Sequence, residues 1–139
     1  MSVVLVDSNV LLDIFTEAPI WLAWSQDALA RAAETSKLAI NAIIYAEISV
    51  RFSRIEALDE VLTPRDFVRE PIPFAAAFLA AKAFAQYRKR GGVRTAPLPD
   101  FLIGAHAVVS GYPLLTRDVA RYRTYFPTLD LIAPERTAP

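Results

Sequence analysis

Short apolar runs and longer amphipathic stretches alternate along the chain, which predicts strands separated by helices. Residues 3–6 are aliphatic at consecutive positions, a pattern typical of a parallel strand that is buried on both faces. Further short apolar runs predict strands at 37–41, 66–70, 113–116 and 129–132. This alternation predicts an α/β domain with a central, mostly parallel sheet of four to five strands and helices on both faces.

The stretches between these strands predict the helices. Ser8 or Asn9 is placed to cap the first helix through its side-chain oxygen. An Ala-rich stretch without Gly or Pro predicts another helix at 74–89, and Gly91 and Gly92 mark its end. The full set of predicted helices is 8–15, 19–35, 43–54, 55–62, 74–89, 99–110 and 118–126.

Composition narrows the class of protein. With 139 residues, of which 54% are hydrophobic and 22% charged, the chain is expected to form one globular domain over 1–139, with a frayed tail at 133–139. The absence of cysteine excludes a disulfide framework and a thiolate metal site. We find no signal-peptide pattern and no apolar run long enough to span a membrane, so a cytoplasmic location is expected.

Charge does not by itself predict a partner. Fifteen basic and fifteen acidic residues give a formal net charge of zero, so a nucleic-acid partner has to be argued from local clusters. On charge alone, each cluster is best interpreted as a solvated helix end or face. The two clusters are Arg88, Lys89, Arg90 and Arg94, and Arg117, Arg121 and Arg123.

Four carboxylates stand at comparable places, directly after a predicted strand or near the start of the helix that follows. They are Asp7, Glu47, Asp100 and Asp118. Taken singly, each has an ordinary structural interpretation, because the aspartates can stabilise a helix N-terminus and Glu47 can pair with Arg51. In open parallel sheets, however, sites lie beyond the carboxyl ends of the strands, so the predicted fold would bring the four together.

A cluster of carboxylates implies a cation. In a partly desolvated crevice the carboxylates repel one another unless a positive charge lies between them. Because the chain has no cysteine and a single histidine, an all-oxygen cluster suits Mg²⁺ or Mn²⁺ better than zinc. Such an ion polarises a phosphoryl oxygen and activates water for an in-line displacement. The residues therefore indicate phosphoryl chemistry at a metal site.

Four sequence segments form a specific combination. They are VDSNVLLDIF at 6–15, NAIIYAEI at 41–48, LPDFLIGAHA at 98–107 and LLTRDVARYRTYFP at 114–127. Together they resemble the signature segments of PIN-domain ribonucleases, most closely the toxins of VapC type from bacterial toxin–antitoxin pairs. The resemblance covers about residues 2–132. It implies a PIN-like fold and a metal-dependent endoribonuclease that hydrolyses RNA phosphodiester bonds as the toxin of such a pair.

The resemblance also implies roles for individual residues. The acidic quartet around Mg²⁺, or Mn²⁺ as a substitute, would be Asp7, Glu47, Asp100 and Asp118, with Ser8, Asn9 and Thr116 as supporting polar residues. Family members usually form homodimers and are silenced by a small antitoxin, whose C-terminal segment lies along or into the active-site groove. Apart from the resemblance, the basic loop at 88–94 leads towards Asp100, so the candidate contacts to an RNA backbone are Arg88, Lys89, Arg90 and Arg94, with Arg117 from the second cluster.

Three conspicuous residues are interpreted as structural. Asp13 lies six positions after the first candidate carboxylate, about 240° around a helix, and is expected to be a solvated helix residue. His106 is expected to serve packing or an interface rather than catalysis. Gly104 is expected to let another backbone approach closely beneath the site.

Other functions stay open at this point. A phosphatase or phosphotransferase could use Asp7 as its nucleophile, but that chemistry usually has a second acid two residues on, where this chain has Asn9. A housekeeping PIN-type RNA-processing nuclease would carry the same quartet. A non-catalytic PIN-like module that only binds partners is the third alternative, and retention of all four acids argues against it.

Overall fold

The strands form a five-stranded sheet in which every neighbouring pair is parallel. The computed structural model describes residues 2–94 and 98–135. In chain order, the strands are β1 (Ser2–Val6), β2 (Ser36–Ile40), β3 (Phe67–Arg69), β4 (Leu114–Leu115) and β5 (Leu131–Ile132). Their order across the sheet is β3-β2-β1-β4-β5.

Seven helices connect the strands within the described residues. They are α1 (Ser8–Phe15), α2 (Leu22–Thr35), α3 (Ala42–Ser49), α4 (Ile55–Val61), α5 (Phe74–Lys89), α6 (Pro99–Ser110) and α7 (Ala120–Tyr125). Both α5 and α6 have the bounds that the sequence predicts. Pro99 suits the first position of α6, and Gly111 ends that helix with a φ of 69°, a left-handed conformation that favours glycine.

Strand β1 lies at the centre of the sheet, between β2 and β4. Val4, Leu5 and Val6 are all buried, although successive side chains of a strand point to opposite faces. Both faces of the sheet are therefore covered, as is typical of parallel sheets. The predicted α/β architecture with a central parallel sheet is confirmed.

The strand order reverses between β1 and β4. From β1 the chain builds outward through β2 and β3 on one side, and then returns to add β4 and β5 on the other. At such a reversal a crevice opens beyond the carboxyl ends of the two neighbouring strands. Asp7 directly follows β1 and Thr116 directly follows β4, so both lie at the mouth of this crevice.

Two predicted helices have different bounds. The helix predicted to begin at Pro19 begins at Leu22, because a turn that includes Glu17 at a φ of 52° redirects the chain between α1 and α2. The helix predicted over 43–54 ends at Ser49, where the following N–H groups bond to carbonyls three residues back and tighten the last turn. The other predicted elements are present, some of them shorter at their ends.

Aromatic side chains fill the space between α5, α6 and α7. Their rings meet mostly edge to face, with centroids 5.3 Å apart for Phe101 and Tyr125. We call this set the aromatic cluster; its members are Phe84, Tyr87, Phe101, Tyr125 and Phe126. The cluster holds α7 against α6, and so places the residues that follow β4 next to those that open α6.

Two predictions concern the chain as a whole. The predicted frayed tail at 133–139 lies partly outside the described residues, which end at 135. The longest helix, α5, has 16 residues, and no helix in the described part of the chain is long and apolar enough to cross a membrane.

Candidate functional site

Asp7 lies where β1 ends and α1 begins. Its side chain is buried, and it is the N-cap of α1, because Oδ1 accepts a hydrogen bond of 2.8 Å from the N–H of Ser8. The prediction that Ser8 or Asn9 caps this helix is wrong, since the backbone of Ser8 is already helical while that of Asp7 is extended.

The other carboxylate oxygen of Asp7 collects three donors. Oδ2 accepts hydrogen bonds from Thr116 Oγ1 at 2.9 Å, from the Tyr122 hydroxyl at 2.8 Å and from the Asn9 amide at 3.4 Å. All donors to Asp7 are neutral, and among the described residues no Lys, Arg or His forms an ion pair with it. Asp7 is thus a buried carboxylate that hydrogen bonds alone stabilise.

The pKa of Asp7 reflects this setting. Burial raises the pKa from 3.8 to about 6; the hydrogen bonds from Tyr122 and Thr116 oppose the rise, and the charge of Asp100 adds to it. A cation beside the carboxylate would favour its ionised form, because opposite charges lower the pKa of an acid.

Glu47 on α3 is linked to Asp7 through a shared hydroxyl. Ser8 Oγ donates to Glu47 Oε1 at 2.8 Å and lies 3.5 Å from Asp7 Oδ1. Burial raises the pKa of Glu47, the hydrogen bond from Ser8 lowers it, and the charge of Asp100 raises it. The alternative ion pair between Glu47 and Arg51 is not formed in the described part of the chain.

Asp100 occupies the first turn of α6 and is the electrostatic centre of the group. Burial raises its pKa, nearby Arg121 lowers it, and the charge of Asp118 raises it. Asp118 is exposed on the loop before α7, where its N–H donates to Thr116 Oγ1 at 3.1 Å. Asp100 is therefore within electrostatic reach of each of the other three carboxylates.

The donor set suits a hard divalent cation, since carboxylate oxygens are ligands that Mg²⁺ and Mn²⁺ prefer. As the side chains stand, no three carboxylate or imidazole groups of residues 2–94 and 98–135 converge closely enough to enclose an ion. The Ser8 hydroxyl lies between Asp7 and Glu47, and the Tyr122 hydroxyl lies beside Asp7 and Asp100. The chemistry of the group fits a metal, and the four-carboxylate metal site stays a prediction.

One known family model matches most of the chain. The sequence model of the PIN domain matches residues 4–127, a range that contains all four carboxylates. The chain belongs to the PIN-domain family. PIN domains are generally nucleases and typically depend on a divalent metal. No curated protein matches this PIN domain by sequence.

Solved structures with a similar fold come from toxin–antitoxin complexes. VapBC2 of Rickettsia felis, bound to a DNA fragment from its promoter, is 17% identical at a TM-score of 0.70, with 96% of this chain and 99% of that chain covered. VapBC-1 of nontypeable Haemophilus influenzae is 16% identical at a TM-score of 0.70, with 94% and 97% covered. A toxin–antitoxin complex from Klebsiella pneumoniae is 21% identical at a TM-score of 0.65, with 96% and 99% covered. At these identities the likeness establishes the fold.

The basic residues predicted to contact RNA lie in two settings. Those at the end of α5 and in the loop after it are exposed: Arg88, Lys89, Arg90 and Arg94. Arg117, by contrast, directs its guanidinium to Asp13, with Nε 2.7 Å from Oδ2 and Nη2 3.0 Å from Oδ1. Because its charge is neutralised inside the PIN domain, Arg117 is the weakest of the five candidates.

The prediction that Asp13 is a solvated helix residue is wrong. Its side chain is buried and accepts hydrogen bonds from Arg117 and, at 2.8 Å, from Ser25 Oγ. Helical rotation does direct Asp13 away from Asp7, but α2 packs against that side of α1 and supplies Ser25. The buried ion pair ties α1 to the loop that follows β4.

Tyr122 is a site residue that the sequence analysis missed. Its side chain is buried, its hydroxyl donates to Asp7, and burial together with the charges of Asp7 and Asp100 raises its pKa well above the ordinary value. Tyr122 therefore stays protonated and can only donate to the carboxylate. A signal was present, since Tyr122 follows Asp118 by four residues, one turn of the predicted helix.

Arg121 is the arginine of its cluster that faces the carboxylates. Its guanidinium lies over the rings of Tyr87 and Phe101, 5.5 and 5.6 Å from their centroids, and its charge lowers the pKa of Asp100. Composition could identify the cluster, but only the packing of α7 shows which of its members borders the site.

Gly104 and His106 shape the packing of α6 in the PIN domain. A Cβ at Gly104 would come within 2.7 Å of the Phe126 ring and 3.1 Å of Tyr122, so side chains approach there, and not the backbone that was predicted. His106 is buried, and its Nδ1 accepts from Asn41 Nδ2 at 3.0 Å, because Asn41 Oδ1 caps α3. The predicted packing role of His106 is confirmed, and burial lowers its pKa.

Proposed function

We propose that this PIN domain is the endoribonuclease toxin of a toxin–antitoxin pair, which hydrolyses RNA with Mg²⁺ or Mn²⁺ bound at its acidic crevice. The observation that carries the proposal is the setting of Asp7. This carboxylate is 3% exposed, has a pKa raised to about 6 and has only neutral donors, at the reversal of strand order in a PIN fold. Such a group is electrostatically incomplete until a cation joins it.

The roles of the acids follow from their burial. Asp7, Glu47 and Asp100 would hold the cation, and Asp118 would join them from its exposed loop. A bound Mg²⁺ or Mn²⁺ would neutralise these charges and polarise a phosphoryl oxygen towards attack by water. The carboxylate least able to move is Asp7, because four donors fix its two oxygens.

Hydroxyl groups orient the carboxylates in this proposal. Ser8 donates its proton to Glu47, and Thr116 donates its proton to Asp7. Asn9 Nδ2 and the N–H of Asp118 donate to Thr116 Oγ1 at 3.0 and 3.1 Å, so both lone pairs of that oxygen are engaged and its proton is directed to Asp7. This chain of donors supports the expectation that Ser8, Asn9 and Thr116 serve the site.

Positive charge beside the crevice would hold the RNA backbone. Arg121 borders Asp100 and is steadied by aromatic rings, and Arg90 lies 5.3 Å from the centroid of Tyr125 in the same aromatic cluster. The exposed residues Arg88, Lys89 and Arg94 extend this surface along the end of α5. Contacts of this kind position a phosphate backbone without reading its sequence.

The partners are proposed from the structural relatives, which are toxin–antitoxin complexes. We expect a small antitoxin, encoded beside this chain, to bind the PIN domain and block cleavage, and we expect the free chain to be a homodimer. Light scattering on the purified chain tests the homodimer, and co-purification with the product of a short adjacent gene tests the antitoxin.

Cleavage assays test the central proposal. The purified chain should cleave RNA with Mg²⁺ or Mn²⁺ and not with excess EDTA, and Asp7→Asn should be inactive while its far-UV circular dichroism is unchanged. Cleavage of DNA and not of RNA would contradict the proposal that RNA is the substrate. Cation binding without cleavage would favour the alternative of a non-catalytic binding module. Growth arrest on induction of the parent and not of Asp7→Asn would separate a toxin from a housekeeping nuclease.

A further inference from the structure

Tyr122 enters the acidic crevice from the interior of the domain. It lies on α7 and is only 1% exposed, yet its hydroxyl oxygen is 2.8 Å from Asp7 Oδ2. A carboxylate oxygen only accepts, so the phenol donates this hydrogen bond. Because the ring is buried, the hydroxyl reaches Asp7 from the interior of the domain, and it also lies beside Asp100.

Close packing against α6 fixes the position of the Tyr122 ring. Gly104 faces it one helical turn after Asp100, and a Cβ there would meet Phe126 at 2.7 Å and Tyr122 Cδ1 at 3.1 Å. The absence of a side chain at Gly104 thus lets the two rings lie against α6. Tyr122 is therefore held by packing on one end and by Asp7 on the other.

The two oxygens of Asp7 have different surroundings. Oδ2 accepts from Tyr122 and Thr116 at under 3 Å, and the Asn9 amide adds a longer contact. Oδ1 accepts one short hydrogen bond, from the N–H of Ser8, and is the oxygen on the side of Glu47, since the Ser8 hydroxyl touches both. Each carboxylate oxygen has two lone pairs, so Oδ1 keeps one available for a ligand.

We infer that Tyr122 is a positioning residue of the metal centre: its hydroxyl holds Oδ2 of Asp7 from the interior and so keeps Oδ1 turned towards Glu47, open to a cation. The inference rests on the proposed function. Tyr122 itself need not touch the metal or the RNA. Its effect passes through the orientation of Asp7, as hydrogen bonds behind metal ligands generally act.

Calorimetric titration with Mn²⁺ at pH 7.5 tests this role on the purified chain. Tyr122→Phe removes the hydroxyl and keeps the ring, and we expect Mn²⁺ to bind about 10- to 100-fold more weakly than to the parent. Tyr125→Phe is the matched control, because the Tyr125 hydroxyl makes no hydrogen bond within the described residues while its ring also packs in the aromatic cluster. Its affinity should stay within about twofold of the parent, since no donor behind a ligand is lost.

The outcomes separate this inference from the proposed function. If the parent and Tyr122→Phe bind Mn²⁺ with equal affinity, the positioning role is overturned, while the proposed metal centre is still supported. No binding by the parent would reject the metal centre, and the role of Tyr122 with it. If Tyr122→Phe does not fold, Gly104→Ala decides: it keeps the hydroxyl but displaces the rings, and an unchanged Mn²⁺ affinity in that folded variant would overturn the inference.

Discussion

Asp7 and Asp13 lie six residues apart on the same short segment, and each has a side chain that is 3% exposed. Asp13 faces the guanidinium of Arg117, which donates two hydrogen bonds to it, and the hydroxyl of Ser25. Asp7 faces hydroxyls, an amide and a backbone N–H, and no cation pairs with it in the described part of the chain.

The difference between these two aspartates supports assigning them different roles. A buried charge that the protein itself neutralises is a structural connection, and Asp13 connects α1 to the loop after β4. A buried charge with only neutral donors has a perturbed pKa, a property that clusters at functional sites. Burial alone therefore does not distinguish the two aspartates of this PIN domain; the presence or absence of a neutralising partner does.

The largest expected effect is on catalysis. Asp7→Asn should lower the single-turnover rate of RNA cleavage by on the order of 10³-fold or more, the scale for removing one key electrostatic group. Asp13→Asn makes the same chemical change at the other buried carboxylate, and a folded sample should keep its metal-dependent cleavage. Similar losses in both variants would show that the comparison does not separate site from structure.

The next effect is on stability. Asp13→Ala leaves Arg117 without its partner and should lower the free energy of unfolding by about 3 kcal/mol, the lower end for breaking a buried pair, because the Arg117 side chain can turn to solvent. Asp59→Ala is the control: its pair with Arg69 is 2.8 Å long, close to the 2.7 Å of the Asp13 pair, but about 40% exposed, so solvent screens it and the loss of stability should be much smaller. Equal midpoints in urea would contradict the structural role of Asp13.

A third effect is the pH dependence of the metal-free protein. Because folding raises the pKa of Asp7 from 3.8 to about 6, the protonated form is favoured in the folded state, and the contribution of Asp7 to stability is lost as pH rises through about 6. The loss from this group is at most about 3 kcal/mol. Bound Mn²⁺ should offset it, so Mn²⁺ should raise the melting temperature more at pH 7.5 than at pH 5.

Thermal unfolding with and without Mn²⁺ at the two pH values measures this effect. Asp7→Asn should show a flatter dependence on pH, because its side chain does not titrate. A stabilisation by Mn²⁺ that is larger at pH 5 than at pH 7.5 would contradict the assignment of the cation to Asp7.

The smallest effect compares the hydroxyls that serve the two aspartates. Ser25→Ala removes a donor to Asp13 and should cost about 1 kcal/mol of stability, with Mn²⁺ affinity unchanged. Thr116→Val removes a donor to Asp7 at nearly constant volume and should weaken Mn²⁺ binding by about tenfold. If Ser25→Ala weakened Mn²⁺ binding and Thr116→Val did not, the roles assigned to the two aspartates would be contradicted.

Local sequence patterns were sufficient to predict those strands and helices whose structure depends on their own residues. The unbroken apolar run of β1 predicted a central buried strand, and Pro99 and Gly111 marked both ends of α6. The start of α2 was not predictable in this way, because the turn before it places Glu17 at a positive φ. Non-glycine residues rarely adopt a positive φ, so the residue type gives no sign of such a turn.

The sequence by itself determined the alternation of strands and helices, and with it the edge of the sheet to which Asp7, Glu47, Asp100 and Asp118 belong. Only the tertiary structure decided what neutralises each charge. Asp13 meets Arg117 across 104 residues of chain, and Asp7 meets Tyr122 across 115. The periodicity of a sequence predicts the direction in which a side chain leaves its own helix or strand. The partners and the pKa of a buried charge depend instead on residues that are distant in the sequence and that only the tertiary fold places beside it.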